Sequence, residues 1–324
     1  MIRMTKLSRL ALGMLCLGLS PLFAQEFEKI PSSYQDSSYL YINDGESDSL
    51  FHYQLIPHQK PKACLIIIPA SGEMVEDVIP QLKIPQAAAT KGIMTLIPSI
   101  NWGTVDRQSE AAFLDTLINA CMAKYDIPAN KFVLGGLSNG GVIALRYAQL
   151  AVMDSSQTLI KPAAVFGVDP PLDLARLYHY CERELERGIS EAGIAEARWL
   201  KNYYGTNFGG SPAEVPQTYQ YFSIYSYGAE NGGNAELLLE TPLRFYTDLD
   251  LDYLLNKRHR DLYDWNGSDI VAMVNELKMQ GHPNVEVKIS TGKGLRPNGQ
   301  RHPHSWSIID NDDLLNWLIQ TLSL

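Results

Sequence analysis

Positive charge is the first thing in short supply. The 324-residue chain sets 27 lysines and arginines against 36 aspartates and glutamates, for a formal charge of −9 at pH 7. That balance disfavours nucleic acid or an anionic membrane surface as a partner. Cysteine is scarce too, with four residues and no C-x-x-C spacing. Cys16 falls in the N-terminal leader, Cys64 in an apolar run, and Cys121 and Cys181 in helical patterns. Three remaining cysteines cannot all pair, so buried free thiols are expected, and a Cys121–Cys181 disulfide is left open for an oxidising compartment. Long apolar runs are missing as well. The stretch from Leu10 to Leu19 is too short to span a bilayer, and nothing after it is longer. There is no internal repeat and no low-complexity tract. His302 and His304 form a pair without a third ligand at metal-binding spacing, so neither metal nor cofactor is expected.

What is present begins with a leader. Arg3, Lys6 and Arg9 precede the apolar run, and Ser20-Pro21-Leu22-Phe23-Ala24 follows it. This order of basic, apolar and small-residue regions predicts a secretory signal peptide over 1–24, cut after Ala24, and hence a secreted or periplasmic protein. Leu15 stands where a lipoprotein signal needs a small residue, so lipidation of Cys16 is disfavoured.

Residues 25–38 read as a polar lead-in. Tyr39–Ile42 and Leu50–Ile56 flank the turn Asn43-Asp44-Gly45-Glu46 and suggest a hairpin or meander. The run Ala63–Pro69 is continuously apolar, as a strand buried on both faces of a parallel sheet is, and Ile93–Pro98, the short run Lys131–Leu134 and Ala163–Asp169 read as further strands. Helical spacing separates them over Val75–Lys91, Arg107–Tyr125 and from Val142 on. This alternation predicts an α/β architecture, a mostly parallel central sheet with helices on both faces. Pro242–Thr247 and Val285–Ile289 extend the sheet. Ser268 is expected to cap a helix over Asp269–Gln280, and Ile309–Leu322 closes the chain as an amphipathic helix. The core domain is therefore expected over 25–169 and 241–324. Residues 170–240 change character and read as a cap-like insertion, helical over His179–Tyr204 and irregular beyond. Within it the alternating Tyr219, Tyr221, Tyr225 and Tyr227 suit an extended segment or an aromatic-lined pocket.

The strongest local signal is Gly136-Leu137-Ser138-Asn139-Gly140. It fits G-x-S-x-G, in which a serine tops a sharp strand-to-helix turn. Glycine two residues to either side removes the Cβ atoms that would keep strand and helix apart. The helix N-terminus beneath offers amide N–H groups to developing negative charge. A serine hydroxyl needs a base, and the base needs a carboxylate to fix its tautomer. On this kind of sheet they follow in the order serine, acid, histidine. His304, in Pro303-His304-Ser305-Trp306, is the expected base, with His302 the alternative. Asp250 is the expected acid and Asp248 the alternative. Asp252 shares their alternation, and Asp169, after the preceding strand, is an outside candidate. The oxyanion hole is assigned to the backbone amides of Ser71, in the loop after the Ala63–Ile68 strand, and Asn139.

These motifs resemble the α/β-hydrolase superfamily, and the histidine next to Ser305-Trp306 resembles that of esterase-D-like and enterochelin-esterase-like enzymes. The resemblance covers roughly residues 60–170 and 241–322. It departs from the family at Pro69-Ala70-Ser71-Gly72, which is not the usual H-G form, and the insertion matches no known cap. It implies a Ser138-His304-Asp250 triad that cleaves a small-molecule ester through an acyl-enzyme. A peptidase or amidase on the same fold, acting on short peptides, and a catalytically silent binding protein are the rival readings.

Overall fold

A computed structural model describes residues 25–35 and 39–324. The expected signal peptide, with Cys16, lies outside the described residues. The strands are β1 (Glu28–Pro31), β2 (Ile42–Asn43), β3 (Glu46–Ser47), β4 (Phe51–Leu55), β5 (Ala63–Ile68), β6 (Ile93–Pro98), β7 (Phe132–Leu137), β8 (Ala164–Val168), β9 (Leu243–Asp248) and β10 (Val285–Ser290). The helices are α1 (Val75–Val78), α2 (Ile84–Ala89), α3 (Gln108–Tyr125), α4 (Asn139–Met153), α5 (Leu174–Arg187), α6 (Glu191–Phe208), α7 (Pro216–Phe222), α8 (Leu251–Tyr253), α9 (Asn266–Met279) and α10 (Asn311–Leu322). Among the described residues no helix is long and apolar enough to cross a membrane.

Eight strands form one sheet in the order β1-β4-β6-β5-β7-β8-β9-β10. The six from β6 to β10 run parallel, whereas β4 and β1 add antiparallel at one edge. Every residue of β5, β6, β7, β8 and β9 is buried; β5, β7 and β8 are apolar throughout, whereas β6 carries Thr95 and β9 carries Arg244, Thr247 and Asp248. The edge strand β10 is only partly covered: Val285 is buried, and Glu286 and Ile289 are exposed. The register matters most for function. Ile68 pairs with Gly136, Leu137 with Val168, and Val168 with Tyr246, so the carboxyl ends of β5, β7, β8 and β9 finish level. The residues just beyond those ends share one rim of the sheet.

Several local expectations change. The 25–38 lead-in contains β1, which pairs Ile30 with His52 of β4. The Asn43–Glu46 turn closes only the two-residue pair β2–β3, while β4 joins the large sheet. The single helix expected over 75–91 is three short pieces, because Pro80 and Pro85 each lie in the first turn of a new one. Gly188, left-handed at φ 63°, splits the long helix of the insertion into α5 and α6. Helix α9 begins at Asn266 without a side-chain cap, so Ser268 lies inside it. Tyr219 is buried in α7 rather than in an extended segment.

The segment between β8 and β9 has a small core of its own, with Leu177, Tyr178, Cys181, Ala197, Phe208 and Tyr219 at its centre. It is tied to the sheet domain by a buried ion pair. Arg176 of α5 grips Asp269 of α9 through Nε at 2.9 Å and Nη2 at 2.7 Å, with both side chains almost completely buried. Cys64 and Cys121 lie in the main core and Cys181 in the smaller one, all as free thiols, so a Cys121–Cys181 bridge is not formed.

Candidate active site

The chain turns from β7 into α4 at Ser138, whose φ of 54° and ψ of −123° lie outside the ordinary regions for a residue with a side chain. Two glycines make the turn possible. A Cβ on Gly136 would sit 2.4 Å from the Ile68 carbonyl oxygen, and one on Gly140 only 2.2 Å from the same atom. Strand β5 therefore packs against the elbow itself. The Ser138 amide donates to the Val168 carbonyl at 2.9 Å, which seats the serine against the end of β8. Asn139 opens α4, where a backbone N–H has no acceptor within the helix. Its side chain is held on both sides: Nδ2 donates to the Trp102 carbonyl at 3.1 Å, and Oδ1 accepts from Arg107 Nη2 at 2.6 Å. Arg107 is in turn paired at 2.9 Å with the buried Glu110.

The loop after β5 leaves one amide over. Ala70 N–H donates to the Glu73 carboxylate at 2.9 Å, Gly72 N–H to the Asn101 carbonyl at 2.8 Å, and Glu73 N–H to the Ala70 carbonyl at 3.2 Å. Ser71 is exposed, and its N–H has no acceptor among the described residues. Both amides assigned from sequence to an oxyanion hole are thus available to a ligand.

The carboxylate that meets His304 is not the one expected from the sequence. His304 Nδ1 lies 2.7 Å from Asp169 Oδ2. Asp169 is fully buried, at φ 47° just past β8, with its other oxygen accepting from the Thr247 hydroxyl at 2.8 Å. Asp250, expected to orient the histidine, is engaged otherwise. Its carboxylate caps α8 through the Tyr253 amide at 3.1 Å and accepts from Arg301 at 2.9 Å. Asp248, the alternative, accepts from the Gly292 and Gly294 amides at 3.0 and 2.6 Å and pairs with Arg301 at 3.0 Å. Asp252 is an exposed charge in the first turn of α8. Asp169 is a lone aspartate ending an apolar strand beside the elbow strand, and that position was the signal available for it.

Of the two histidines, His302 bonds a backbone carbonyl rather than a carboxylate. Its Nδ1 bonds the His304 carbonyl at 2.8 Å, and burial pushes its pKa down to about 4. Burial also works against a charged His304, but the hydrogen bond and charge of Asp169, with Glu196 and Glu73 adding, prevail and hold its pKa above the usual 6.5. The Trp265 ring stands edge-on to the imidazole, with centroids 6.4 Å apart. Among the described residues no three His, Cys, Asp or Glu side chains are grouped to hold a metal ion. The sequence reading did not single out Glu73, whose carboxylate also accepts from the Trp306 indole N–H at 3.1 Å.

Serine and histidine thus approach the same pair of strand ends, Ser138 through the Val168 carbonyl and His304 through the next side chain, Asp169. The arrangement brings together a serine on a strained turn, an imidazole bonded to a buried carboxylate, and two amides with no acceptor among the described residues, the kinds of group that acyl transfer uses.

No protein-family model matches this sequence, nor does any curated protein. Solved structures do. An S-formylglutathione hydrolase from Agrobacterium tumefaciens is similar over 93% of this chain and 96% of its own, with a TM-score of 0.56 at 11% identity. A phosphonate-inhibited esterase B from Lactobacillus rhamnosis is similar over 93% of this chain and 87% of its own, with a TM-score of 0.57 at 13% identity. An acylaminoacyl peptidase from Pyrococcus horikoshii is similar over 94% of this chain but only 41% of its own, with a TM-score of 0.55 at 11% identity. With its mostly parallel eight-stranded sheet, its surrounding helices and its elbow after β7, the chain has the α/β-hydrolase fold.

Proposed function

We propose that the protein is a serine hydrolase that cleaves carboxylic esters of small molecules through an acyl-enzyme, with Ser138, His304 and Asp169 as its triad. The observation that carries this reading is the 2.7 Å bond from His304 Nδ1 to a buried carboxylate one residue past the carbonyl that holds the elbow. That bond keeps the proton on Nδ1 and leaves Nε2 free to accept one. Ser138 Oγ attacks the acyl carbon as His304 takes its proton, and the resulting oxyanion is held by the Ser71 and Asn139 amides. His304 then protonates the leaving alcohol. Water, activated by the same imidazole, attacks the acyl-enzyme and releases the acid. The leader expected over residues 1–24 supports export, and we propose that the reaction takes place outside the cytoplasm.

The likeness to an acylaminoacyl peptidase favours one second reading, hydrolysis of a short peptide on the same residues. A panel of p-nitrophenyl esters of increasing chain length, run beside peptide nitroanilides, decides between the two. Esters are expected to turn over and Ser138→Ala to abolish both turnover and labelling by a fluorophosphonate. A well-folded protein whose Ser138 stays unlabelled would make this a binding protein on a hydrolase fold.

A further inference from the structure

Glu73 is a half-buried titratable group next to the site for which the proposed chemistry has no use. Its placement is nevertheless specific. One carboxylate oxygen, Oε2, accepts the Ala70 amide at 2.9 Å and the Trp306 indole N–H at 3.1 Å, and Oε1 shares that indole at 3.2 Å. Ala70 is the residue before Ser71, and Trp306 follows His304 by two. The two loops belong to distant parts of the sequence and meet on this one side chain. An ionised carboxylate only accepts hydrogen bonds, and here every partner is a donor.

Both loops depend on that arrangement. With Ala70 N–H occupied by Glu73 and Gly72 N–H by Asn101, Ser71 keeps the amide that can face an oxyanion. Trp306 is almost completely buried and opens the short helical turn that begins two residues after His304. The charged groups facing the imidazole are Asp169 past β8, Glu196 of α6 and Glu73, with His302 on its own loop; Glu73 in turn is faced by His304 and by Asp77 of α1.

We propose that Glu73 is a positioning residue for the reaction: it clamps the loop presenting the Ser71 amide to the loop carrying His304, and it adds a fixed negative charge that favours the imidazolium formed during turnover. This rests on the Ser138-His304-Asp169 reading. Burial pushes the Glu73 carboxyl above its usual range, against the pull of its hydrogen bonds and of His304. Protonation at low pH therefore weakens the clamp before ordinary surface carboxylates are affected.

Three variants separate the two roles. Glu73→Gln, with its amide oxygen at the Oε2 position, keeps an acceptor for both donors and removes the charge. The His304 titration, followed by NMR with ring-labelled histidine, is expected to move to lower pH in this variant, together with the acid limb of kcat/KM. Trp306→Phe keeps the charge and removes one bond, so kcat is expected to fall about fivefold with the acid limb unmoved. Glu73→Ala removes both, and kcat is expected to fall about a hundredfold with KM little changed. A His304 titration unmoved in Glu73→Gln overturns the electrostatic role, and an unchanged kcat in Trp306→Phe and Glu73→Ala overturns the clamp. Should Glu73→Ala fail to fold, the Gln and Phe variants decide alone. The NMR titration needs no turnover, so an inactive wild type or an active Ser138→Ala would refute the proposed function while leaving the test of Glu73 readable.

Discussion

Replacing Asp169 by asparagine tests the site where sequence and structure disagree. Asp169 is fully buried and makes two side-chain bonds, to His304 Nδ1 at 2.7 Å and to the Thr247 hydroxyl at 2.8 Å. An amide of the same shape can face them in two ways. With its NH2 toward the imidazole, Nδ1 must become the acceptor and the ring proton moves to Nε2, the atom that has to receive the serine proton. With its oxygen toward the imidazole, the Thr247 hydroxyl rotates to accept from the NH2; the tautomer survives, and only the charge that stabilises the imidazolium is lost. The first arrangement abolishes general-base function, and the second weakens it. We expect kcat for a p-nitrophenyl ester to fall about 10³- to 10⁴-fold, or about 4–5.5 kcal/mol in the barrier. The loss of charge also moves the remaining acid limb to lower pH, because Asp169 helps to hold the His304 pKa up. Asp250→Asn serves as the control. Its carboxylate answers to Tyr253 and Arg301 rather than to the histidine, so kcat should change less than about threefold. Circular dichroism and Tm establish that both variants are folded. An Asp250→Asn enzyme that is dead beside an active Asp169→Asn would refute the assignment of the acid.

The wild-type pH profile follows from the same ring. In the proposed mechanism neutral imidazole is the active form, and the His304 pKa is raised, so the acid limb of kcat/KM should lie above pH 6.5 and activity should fall as pH drops through it. By linkage, the stabilisation from charged His304 is complete below its unfolded-state value and lost as pH rises through the folded-state one, a trend that urea titrations should find flattened in His304→Gln. Gly140→Ala places a Cβ 2.2 Å from the Ile68 carbonyl oxygen and 2.5 Å from that of Pro69, forcing the elbow off β5. A loss of about 3 kcal/mol in urea unfolding is expected, with activity lost in the fraction that remains folded. Asp269→Ala leaves the Arg176 guanidinium buried without its partner, at a cost of about 3–5 kcal/mol, read as a lower urea midpoint.

Sheet and elbow were legible because one physical constraint wrote each of them. A strand covered on both faces has room for a polar residue only where that residue finds a partner, as Arg244 of β9 does in Asp313, so β5, β7 and β8, which offer none, announce themselves as short apolar runs. The turn at Ser138 cannot close over a Cβ at 136 or 140, and glycine stands at both. Elsewhere two constraints compete and local pattern misleads. Glu28-Lys29-Ile30-Pro31 is mostly polar and ends in proline, yet it is a strand, because an edge position asks only that one row of backbone groups be paired. Apolar spacing runs on through 75–91, but Pro80 and Pro85 restart the backbone twice, and proline in a first turn is as compatible with a helix beginning as with a loop.

The acid was hidden for a different reason: the choice among aspartates is made by what else arrives with the histidine. Asp248-Leu249-Asp250-Leu251-Asp252 offers three carboxylates at the strand where an acid is usual, and the local sequence does not distinguish them from a partner for His304. The loop that delivers His304 also delivers Arg301, three residues earlier. Its guanidinium is always charged and carries a fork of donors, and it pairs with both Asp248 at 3.0 Å and Asp250 at 2.9 Å. Those carboxylates are thereby spent before the imidazole can compete for them. Among the described residues no lysine or arginine pairs with Asp169. The level finish of β8 and β9 puts it beside Thr247, whose hydroxyl satisfies one oxygen and leaves the other aimed at Nδ1. The partner of His304 was therefore set by strand register and by a competing arginine, two facts that exist only once residues 135 positions apart have been folded together.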